Sequence, residues 1–242
     1  MPRSDFSLNL PDLIAAEFYE TLILHEMFRG VSRMIDLLTI ETAHHMGTAL
    51  IEQYKFRYRQ FVLREKWDVP NYNGMEYDQF DTPAAVYLVW RDDRGAVRGL
   101  VRLLPTTQPY MIESLWPELI PDTGAPRSNS VWENTRFAVD RDLPPAVRKQ
   151  VTVELIVASM EFALQQDVRS FLIVSPRAIL ERTLPRAGLQ PVVQKSTLLP
   201  SGHAVSSAYV NVSIDRLMAV RHKAGLQQPV LRNHPREHQH AA

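Results

Sequence analysis

Acidic and cationic residues recur at short spacings in two parts of the chain, and these are the residues best suited to chemistry. Glu76, Asp78 and Asp81 lie close together among aromatic and apolar neighbours. Glu133 and Arg136 form a second group further along. Carboxylates beside aromatic residues are costly to bury unless they meet cations. The pattern therefore predicts a charged pocket that suits a small cationic or zwitterionic ligand.

Two arginines and two aromatic residues accompany these acids. Arg57 and Phe61 share one face of a predicted helix, at positions that are otherwise largely apolar. Trp67 follows that helix, and Arg102 lies near the end of a predicted strand. Two interpretations of Arg57 remain open, because its side chain either passes the core to reach water or faces the carboxylates.

The geometry of the acids depends on the elements that carry them. Side chains alternate across a strand, so Glu133 and Arg136 point to opposite faces unless a β-bulge intervenes. Arg102 is a candidate partner for Glu133 across neighbouring strands. Asp78 and Asp81, taken alone, also fit a solvated turn that leads into a strand.

Composition excludes several functions. The chain has 242 residues, enough for one large α/β domain or two small ones. Lys and Arg (27) balance Asp and Glu (27), so no global basic field favours nucleic acid. The absence of cysteine excludes disulfides, thiolate metal sites and cysteine nucleophiles. No sequence motif for a phosphate-binding loop, a zinc protease or a serine-nucleophile turn occurs, and no metal site is predicted.

The sequence also bears on location. No apolar run approaches the roughly 20 residues that span a bilayer. The first residues lack the pattern of a signal peptide. We therefore expect a cytoplasmic protein with no membrane partner. Residues 225–242 are mostly polar and unpatterned, which predicts a disordered tail.

Hydrophobic periodicity predicts helices and strands in mixed order. Strands are predicted at 34–40, 85–90, 97–104, 131–139, 170–174, 190–198 and 204–212. Helices are predicted at 11–29, 46–65, 112–119, 145–166, 177–186 and 215–223. This order predicts a single α/β domain with a mixed central sheet flanked by helices. The domain spans residues 34–224 and follows a helical extension at 1–33.

The charged and aromatic positions, taken in order, resemble a known family. They read Arg57-x3-Phe61-x5-Trp67, Glu76-x-Asp78-x2-Asp81, Arg102 and Glu133-x2-Arg136-Phe137. This set resembles the acyl-homoserine-lactone synthases, the autoinducer synthases of bacterial quorum sensing, over about residues 34–215. The resemblance implies a fold similar to the GNAT acyltransferase fold, with a splayed cleft between central strands.

The resemblance also implies a reaction. Such enzymes join S-adenosylmethionine to an acyl group that acyl carrier protein or coenzyme A carries. The amine attacks the acyl thioester, the methionine carboxylate then closes the lactone, and methylthioadenosine leaves. S-Adenosylmethionine is a substrate here, and no metal or redox cofactor is expected.

Roles for individual residues follow from the resemblance. The expected catalytic residues are Glu133 as the base, directly or through a water, Glu76 as the runner-up, and Arg136. The residues expected to bind S-adenosylmethionine are Arg57, Phe61, Trp67, Asp78, Asp81 and Arg102. Alternatively, Arg57, Asp81 and Arg136 form an ion-pair network that fixes the loop. We expect loop 68–80 to order only with S-adenosylmethionine, and backbone N–H groups near residues 103–105 to bind the oxyanion.

The sequence says less about the acyl group and its carrier. The predicted acyl pocket comprises Leu100, Met111, Leu155 and Leu172, with Met160 and Val174 as further candidates, and plain core packing is the alternative. Apolar Leu172 favours an acyl chain without a 3-oxo group. A basic cluster could meet an acidic carrier protein or could form a solvated face. It comprises Arg141, Arg148, Lys149, Arg177, Arg182 and Arg186.

Two other functions are alternatives to this one. A GNAT-type N-acyltransferase that acts on another amine would need a glycine-rich pyrophosphate loop, and residues 138–147 contain no glycine. A degenerate, synthase-like binding protein is disfavoured by the intact charged set.

Overall fold

The computed structural model describes residues 34–199 and 202–232. The predicted extension at 1–33 lies outside the described residues. Ten strands are described: β1 Ile35–Leu38, β2 Asn71–Tyr72, β3 Met75–Glu76, β4 Val86–Arg91, β5 Val97–Pro105, β6 Val131–Val139, β7 Ser170–Pro176, β8 Val192–Leu198, β9 Ala204–Asn211 and β10 Leu231–Arg232. β2 and β3 form a small hairpin, and the other eight form one sheet in the order β10-β1-β4-β5-β6-β7-β9-β8.

Five α-helices flank this sheet: α1 Ala49–Arg57, α2 Met111–Leu115, α3 Pro145–Gln165, α4 Leu184–Ala187 and α5 Ile214–Ala224. Two wider, π-helical segments adjoin them, Tyr58–Arg64 after α1 and Ile179–Thr183 before α4. Short 3-10 turns occupy Ala43–His45 and Pro117–Leu119. The prediction of an α/β domain with a mixed sheet flanked by helices is confirmed. No helix among the described residues has the length and apolar character of a membrane span.

Helix α3 connects the parallel strands β6 and β7 and packs on one face of the sheet. It begins at Pro145, whose fixed φ suits the first helical turn. Its predicted apolar stripe is buried throughout: Val147, Val151, Leu155, Ala158 and Phe162. Gly99 of β5 permits the close approach, because a Cβ there would lie 2.7 Å from Val151 Cγ1. The opposite face of the sheet packs against α1 and α2.

Strands β6 and β7 separate partway along their length. They pair in parallel only from Val131 with Ser170 to Asn134 with Ile173. Beyond that point β6 keeps pairing with β5, and β7 with β9. A cleft therefore opens between the two strands, with backbone groups on both edges.

The position of this cleft corrects one prediction. Residues 103–105, expected to offer free N–H groups, lie in β5 and pair with Trp132–Asn134 of β6. The prediction was wrong because the sheet splays one strand further along, between β6 and β7.

Strand β6 contains a bulge at Arg136. Leu100 pairs with Ala138, but Arg102 pairs with Thr135, so Arg136 and Phe137 together oppose Val101. Arg136 has a φ of 53°, which is uncommon for a residue other than glycine. The extra residue turns the Arg136 side chain to the face that Glu133 also occupies, as its contacts below show.

Residues 225–232, which follow α5, belong to the described part of the structure. β10 pairs in parallel with β1 at the edge of the sheet. The buried Glu161 carboxylate accepts hydrogen bonds from the backbone N–H groups of Val230 and Leu231. The prediction of disorder from residue 225 therefore fails for residues 225–232, and residues 233–242 lie outside the described part.

Candidate active site

Six charged side chains from four elements form a closed ring of ion pairs, hereafter the ion ring. Arg57 comes from α1, Arg102 from β5 and Arg136 from the β6 bulge. The three acids, Glu76, Asp78 and Asp81, come from β3 and the turn after it. All six side chains are at most 5% exposed.

Cations and anions alternate around the ring. Arg57 binds Glu76 and, at 2.6 Å, Asp81. Arg102 binds Asp81 at 2.9 Å and Asp78 at 2.7 Å. Arg136 closes the ring by binding Asp78 at 2.8 Å and Glu76 at 2.9 Å. Each acid accepts hydrogen bonds from two arginines and each arginine donates to two acids, and a longer Arg57–Asp78 ion pair of 4.0 Å crosses the ring, so three positive charges balance three negative ones.

Asp81 accepts the most hydrogen bonds in the ring. Besides its arginines, it accepts from the Tyr87 hydroxyl at 2.6 Å and from the Asp78 backbone N–H at 2.7 Å. Burial alone would raise the pKa of Asp81, but Arg102, Arg57 and the Tyr87 hydroxyl outweigh it and hold the pKa well below its usual range. Asp81 is therefore ionised across the physiological pH range.

These contacts settle the open geometric questions. Arg57 does not reach water, and the side chains of Asp78 and Asp81 are not a solvated turn. The expected pairing of Arg102 with Glu133 is wrong, because the register places Thr135 opposite Arg102 and Leu104 opposite Glu133. The ion-pair network proposed for Arg57, Asp81 and Arg136 is confirmed, and it includes three further members.

Glu133 stands outside the ion ring and is fully buried. Its two carboxylate oxygens accept hydrogen bonds from the backbone N–H groups of Met111 and Ile112, both at 2.8 Å. Burial raises the pKa of Glu133 to about 7, against the opposing effects of these two donors and of Arg102 and Arg136. A carboxyl group with such a pKa can accept and release a proton near neutral pH.

The β6–β7 cleft contains a cavity of about 450 Å³. Phe61, Trp67 and Arg136 line one side of it. The Phe61 and Trp67 rings stack with centroids 4.8 Å apart, and the Arg136 guanidinium lies 5.6 Å from the Phe61 centroid. The π-helical segment Tyr58–Arg64 presents Phe61 here, in keeping with the frequent use of π-helical turns at functional sites. The ion ring thus meets the cavity through Arg136.

The other walls of the cavity are mostly apolar and come from α3, β7, β9 and the segments around α4. They include Ile156, Met160, Phe171, Ile173, Val174, Leu184, Leu189 and Val210. The four residues predicted for the acyl pocket do not line this cavity. Leu100, Met111 and Leu172 belong to the core on the α1 side, and Leu155 packs beside Gly99. Of the further candidates, Met160 and Val174 do line it.

Sequence reasoning missed Tyr87, Thr135 and Asn134. Tyr87 and Thr135 both pair with Arg102 in register, one in β4 and one in β6. Their side chains contact Asp81 and Arg102 respectively. Strand alternation indicates on which face of the sheet the side chains of Tyr87 and Thr135 lie, but only the register shows that they adjoin the ion ring. Asn134 lines the cavity at the last β6–β7 pair.

The mixed sheet, the splayed strands and the cavity between them define the class of the chain, an α/β protein of the acyltransferase type. Comparison with known proteins specifies the family. The autoinducer synthase family model matches residues 42–218. The acyl-homoserine-lactone synthase of Acinetobacter nosocomialis is 30% identical over 176 residues, which cover 70% of this chain and 96% of the relative. That of Aeromonas hydrophila is 36% identical over 141 residues, which cover 57% of this chain and 67% of the relative. The chain belongs to the autoinducer synthase family.

Solved structures agree with this assignment. The coenzyme A-dependent acyl-homoserine lactone synthase BjaI, with S-adenosylmethionine and isopentyl-coenzyme A, has a TM-score of 0.75 at 25% identity. The match covers 84% of this chain and 94% of BjaI. The synthase LasI has a TM-score of 0.64 at 28% identity, covering 78% of this chain and 92% of LasI.

Proposed function

We propose that this chain synthesises an acyl-homoserine lactone, a quorum-sensing signal, from S-adenosylmethionine and an acyl thioester. The donor is carried by acyl carrier protein or coenzyme A. The observation that carries the proposal is the cavity in the β6–β7 cleft, which Arg136 of the ion ring and two stacked aromatic rings border. The BjaI structure holds the two kinds of substrate that this reaction joins. We place the activity in the cytoplasm.

S-Adenosylmethionine carries a sulfonium, an ammonium and a carboxylate, and the cavity offers a partner for each kind of group. Phe61 and Trp67 present aromatic faces that suit the sulfonium or the adenine ring. Arg136 faces the cavity and suits the carboxylate. Arg57 and Arg102 are fully buried, so with Asp78 and Asp81 they support the site by fixing Arg136 and the loop.

The first chemical step forms the amide. The amine of S-adenosylmethionine loses a proton to Glu133, directly or through a water, because a carboxyl group with a pKa of about 7 is matched to that task. Each Glu133 oxygen that accepts a backbone N–H retains a further lone pair for this proton. The amine then attacks the thioester carbon, the C–S bond breaks, and the departing thiolate takes a proton. Backbone N–H groups on the open edges of β6 and β7 are suitable donors to the oxyanion.

Glu76 is a weaker candidate for the base. Its carboxylate binds both Arg57 and Arg136, and both of its oxygens face guanidinium groups. A carboxylate held by two cations is a poor proton acceptor near neutral pH, because both cations favour its ionised form. We therefore assign Glu76 to the support of Arg136.

The second step closes the lactone. A carboxylate oxygen attacks the γ-carbon of the same molecule, the bond from that carbon to sulfur breaks, and the electron pair goes to sulfur. The neutral thioether methylthioadenosine leaves. Both leaving groups, a thiolate and a thioether from a sulfonium, are good without a Lewis acid, so we expect no metal or redox cofactor to take part. Holding the carboxylate near the γ-carbon is the enzyme's main contribution here.

The acyl chain is expected in the apolar part of the cavity on the α3 side of the cleft. Ile156, Met160 and Phe171 line that part, replacing the four predicted residues that pack in the core. About 450 Å³ falls within the usual range for small-molecule sites. The volume suits a short or medium acyl chain together with part of the S-adenosylmethionine.

One experiment tests this function. The full chain is incubated with S-adenosylmethionine and a panel of acyl carrier protein and coenzyme A thioesters, and the products are measured by mass spectrometry. We expect methylthioadenosine and an N-acyl lactone in equal amounts with at least one donor. Neither product with any donor, or methylthioadenosine without lactone, would overturn the proposal. An acylated amine without methylthioadenosine would instead favour a different N-acyltransferase.

A further inference from the structure

The wall of the cavity on the α3 side is mostly apolar, but it includes the polar side chains of Asn134 and Ser159, and Thr152 and Ser175 also line the cavity. Asn134 is the last residue of β6 that pairs with β7, and it lines the cavity at the root of the cleft. Ser159 of α3 also lines the cavity and is only 3% exposed. Their neighbours there include Ile156, Met160 and Phe171. Polar groups in an apolar pocket commonly set the orientation and specificity of a ligand.

Asn134 and Ser159 lie at the same level of the cleft. The Trp132 ring of β6 meets the Phe162 ring of α3, with centroids 5.2 Å apart. β6 and α3 run in opposite directions, because α3 connects two parallel strands. From Trp132 to Asn134 the strand advances about 6.6 Å. From Phe162 back to residues 158–159 the helix covers about 5 Å in the same direction. Asn134 is thereby brought opposite residues 158–159.

The side chains of Asn134 and Ser159 offer different hydrogen-bonding groups to a ligand. The Ser159 hydroxyl donates its proton to the Leu155 carbonyl at 2.8 Å, so only its lone pairs remain for a ligand. The Asn134 amide can both donate and accept. A ligand hydroxyl can donate to Ser159 and accept from Asn134 at once. A ketone can only accept from Asn134, and a plain methylene offers no hydrogen bond to the Asn134 amide or to the lone pairs of Ser159.

We propose that Asn134 and Ser159 form a polar subsite that selects an acyl donor bearing a hydroxyl group. This inference rests on the proposed function, because it concerns the substrate class of the same cavity. The interior of the acyl chain would pack on Ile156 and Met160, and the hydroxyl would lie between β6 and α3. Both residues are specificity determinants in this scheme and take no part in bond formation.

The test is a competition among coenzyme A thioesters of equal chain length that differ only in carrying no substituent, a 3-oxo group or a 3-hydroxyl group. The products are the corresponding lactones, and their ratios give relative kcat/KM values. Wild type should favour the hydroxylated donor over the unsubstituted one by about 10-fold, as expected for two added hydrogen bonds in a buried site. Ser159→Ala and Asn134→Leu should each reduce that preference about 3-fold, which is the share of one of the two hydrogen bonds.

Ser207→Ala is the matched control. Ser207 is also fully buried and its hydroxyl also donates to a backbone carbonyl, that of Leu119 at 2.7 Å, but it does not line the cavity. This variant should keep the wild-type ratio. A wild-type preference for the unsubstituted or the 3-oxo donor, or an unchanged ratio in Ser159→Ala, would refute the hydroxyl-selective subsite. Those results differ from failure of the proposed function, in which no donor gives lactone or methylthioadenosine.

Discussion

Replacing Asp81 by Asn should destabilise the fold far more than an ordinary loss of one charge. Asp81 accepts five hydrogen bonds: two from Arg57, one from Arg102, one from Tyr87 and one from the Asp78 backbone. The Asn side chain would offer one oxygen and direct an NH₂ group at other donors. It would also leave the buried ion ring with an excess positive charge.

The expected magnitude follows from burial. Removing one partner of a buried ion pair costs about 3–5 kcal/mol of unfolding free energy, because the remaining charge is desolvated without compensation. Asp142→Asn is the matched control. The Asp142 side chain is 71% exposed and binds Arg64 at 2.7 Å. Exposed pairs contribute about 0–1 kcal/mol, so the control should stay within about 1 kcal/mol of wild type.

Urea unfolding across a pH series would measure the free energy of unfolding that each of the two variants loses. The pKa of Asp81 is lowered in the folded state, so its stabilising contribution is present above the unfolded pKa of about 4 and is lost as the pH falls below it. The difference between wild type and Asp81→Asn should therefore be constant from about pH 5 to 8 and shrink in acid. A loss of less than about 1 kcal/mol at pH 7, equal to that of Asp142→Asn, would show that the ion ring does not stabilise the fold as argued.

Three further predictions concern the base, the loop and the last strand. Glu133→Gln should remove activity while the fold persists, and an active variant would exclude Glu133 as the base. In wild type, kcat/KM should rise with pH up to about 7, because the base must be ionised. S-Adenosylmethionine should protect the first part of the loop, residues 68–74, from proteolysis, because these residues are almost wholly exposed, whereas residues 76–81 should resist cleavage with or without it. Equal cleavage at 68–74 with and without S-adenosylmethionine would contradict ordering of the loop by this substrate. Glu161→Ala should lower the free energy of unfolding by about 2–4 kcal/mol and expose residues 226–232 to protease, because Val230 and Leu231 lose their buried acceptor. Unchanged protection from protease would show that pairing with β1 alone holds β10.

Much of the fold could be predicted from the sequence because periodicity reports on one element at a time. The buried stripe of α3 and the strands at 97–104 and 131–139 agree closely with α3, β5 and β6. The last strand could not be predicted in this way. Glu161, about 70 positions earlier in the chain, binds the backbone of Leu231 in this strand and of Val230 before it, and no local pattern reports such a contact.

Prediction of the site was limited in the same way, because contacts between residues far apart in the chain decide its geometry. The spacing of the acids and arginines indicated a charged cluster, but the identity of the pairs depends on register and on the β6 bulge. Without that bulge, Arg136 would face α3 and the ring would stay open between Glu76 and Asp78. The four residues predicted for the acyl pocket lie outside the cavity for a related reason. Alternation separates the two faces of a strand, but it does not show between which strands a sheet splays.

The closed ring also assigns different tasks to acids that look alike in the sequence. Glu76, Asp78 and Asp81 are fully matched by arginines, so a ligand that bound them directly would first have to break buried ion pairs. Glu133 has only neutral backbone donors, and burial raises its pKa to about 7. We therefore expect proton transfer to be carried out by Glu133, which lies outside the ion ring, while the ring holds Arg136 at the edge of the cavity. The strained backbone at Arg136 is consistent with this task, because such conformations persist only where surrounding contacts fix them.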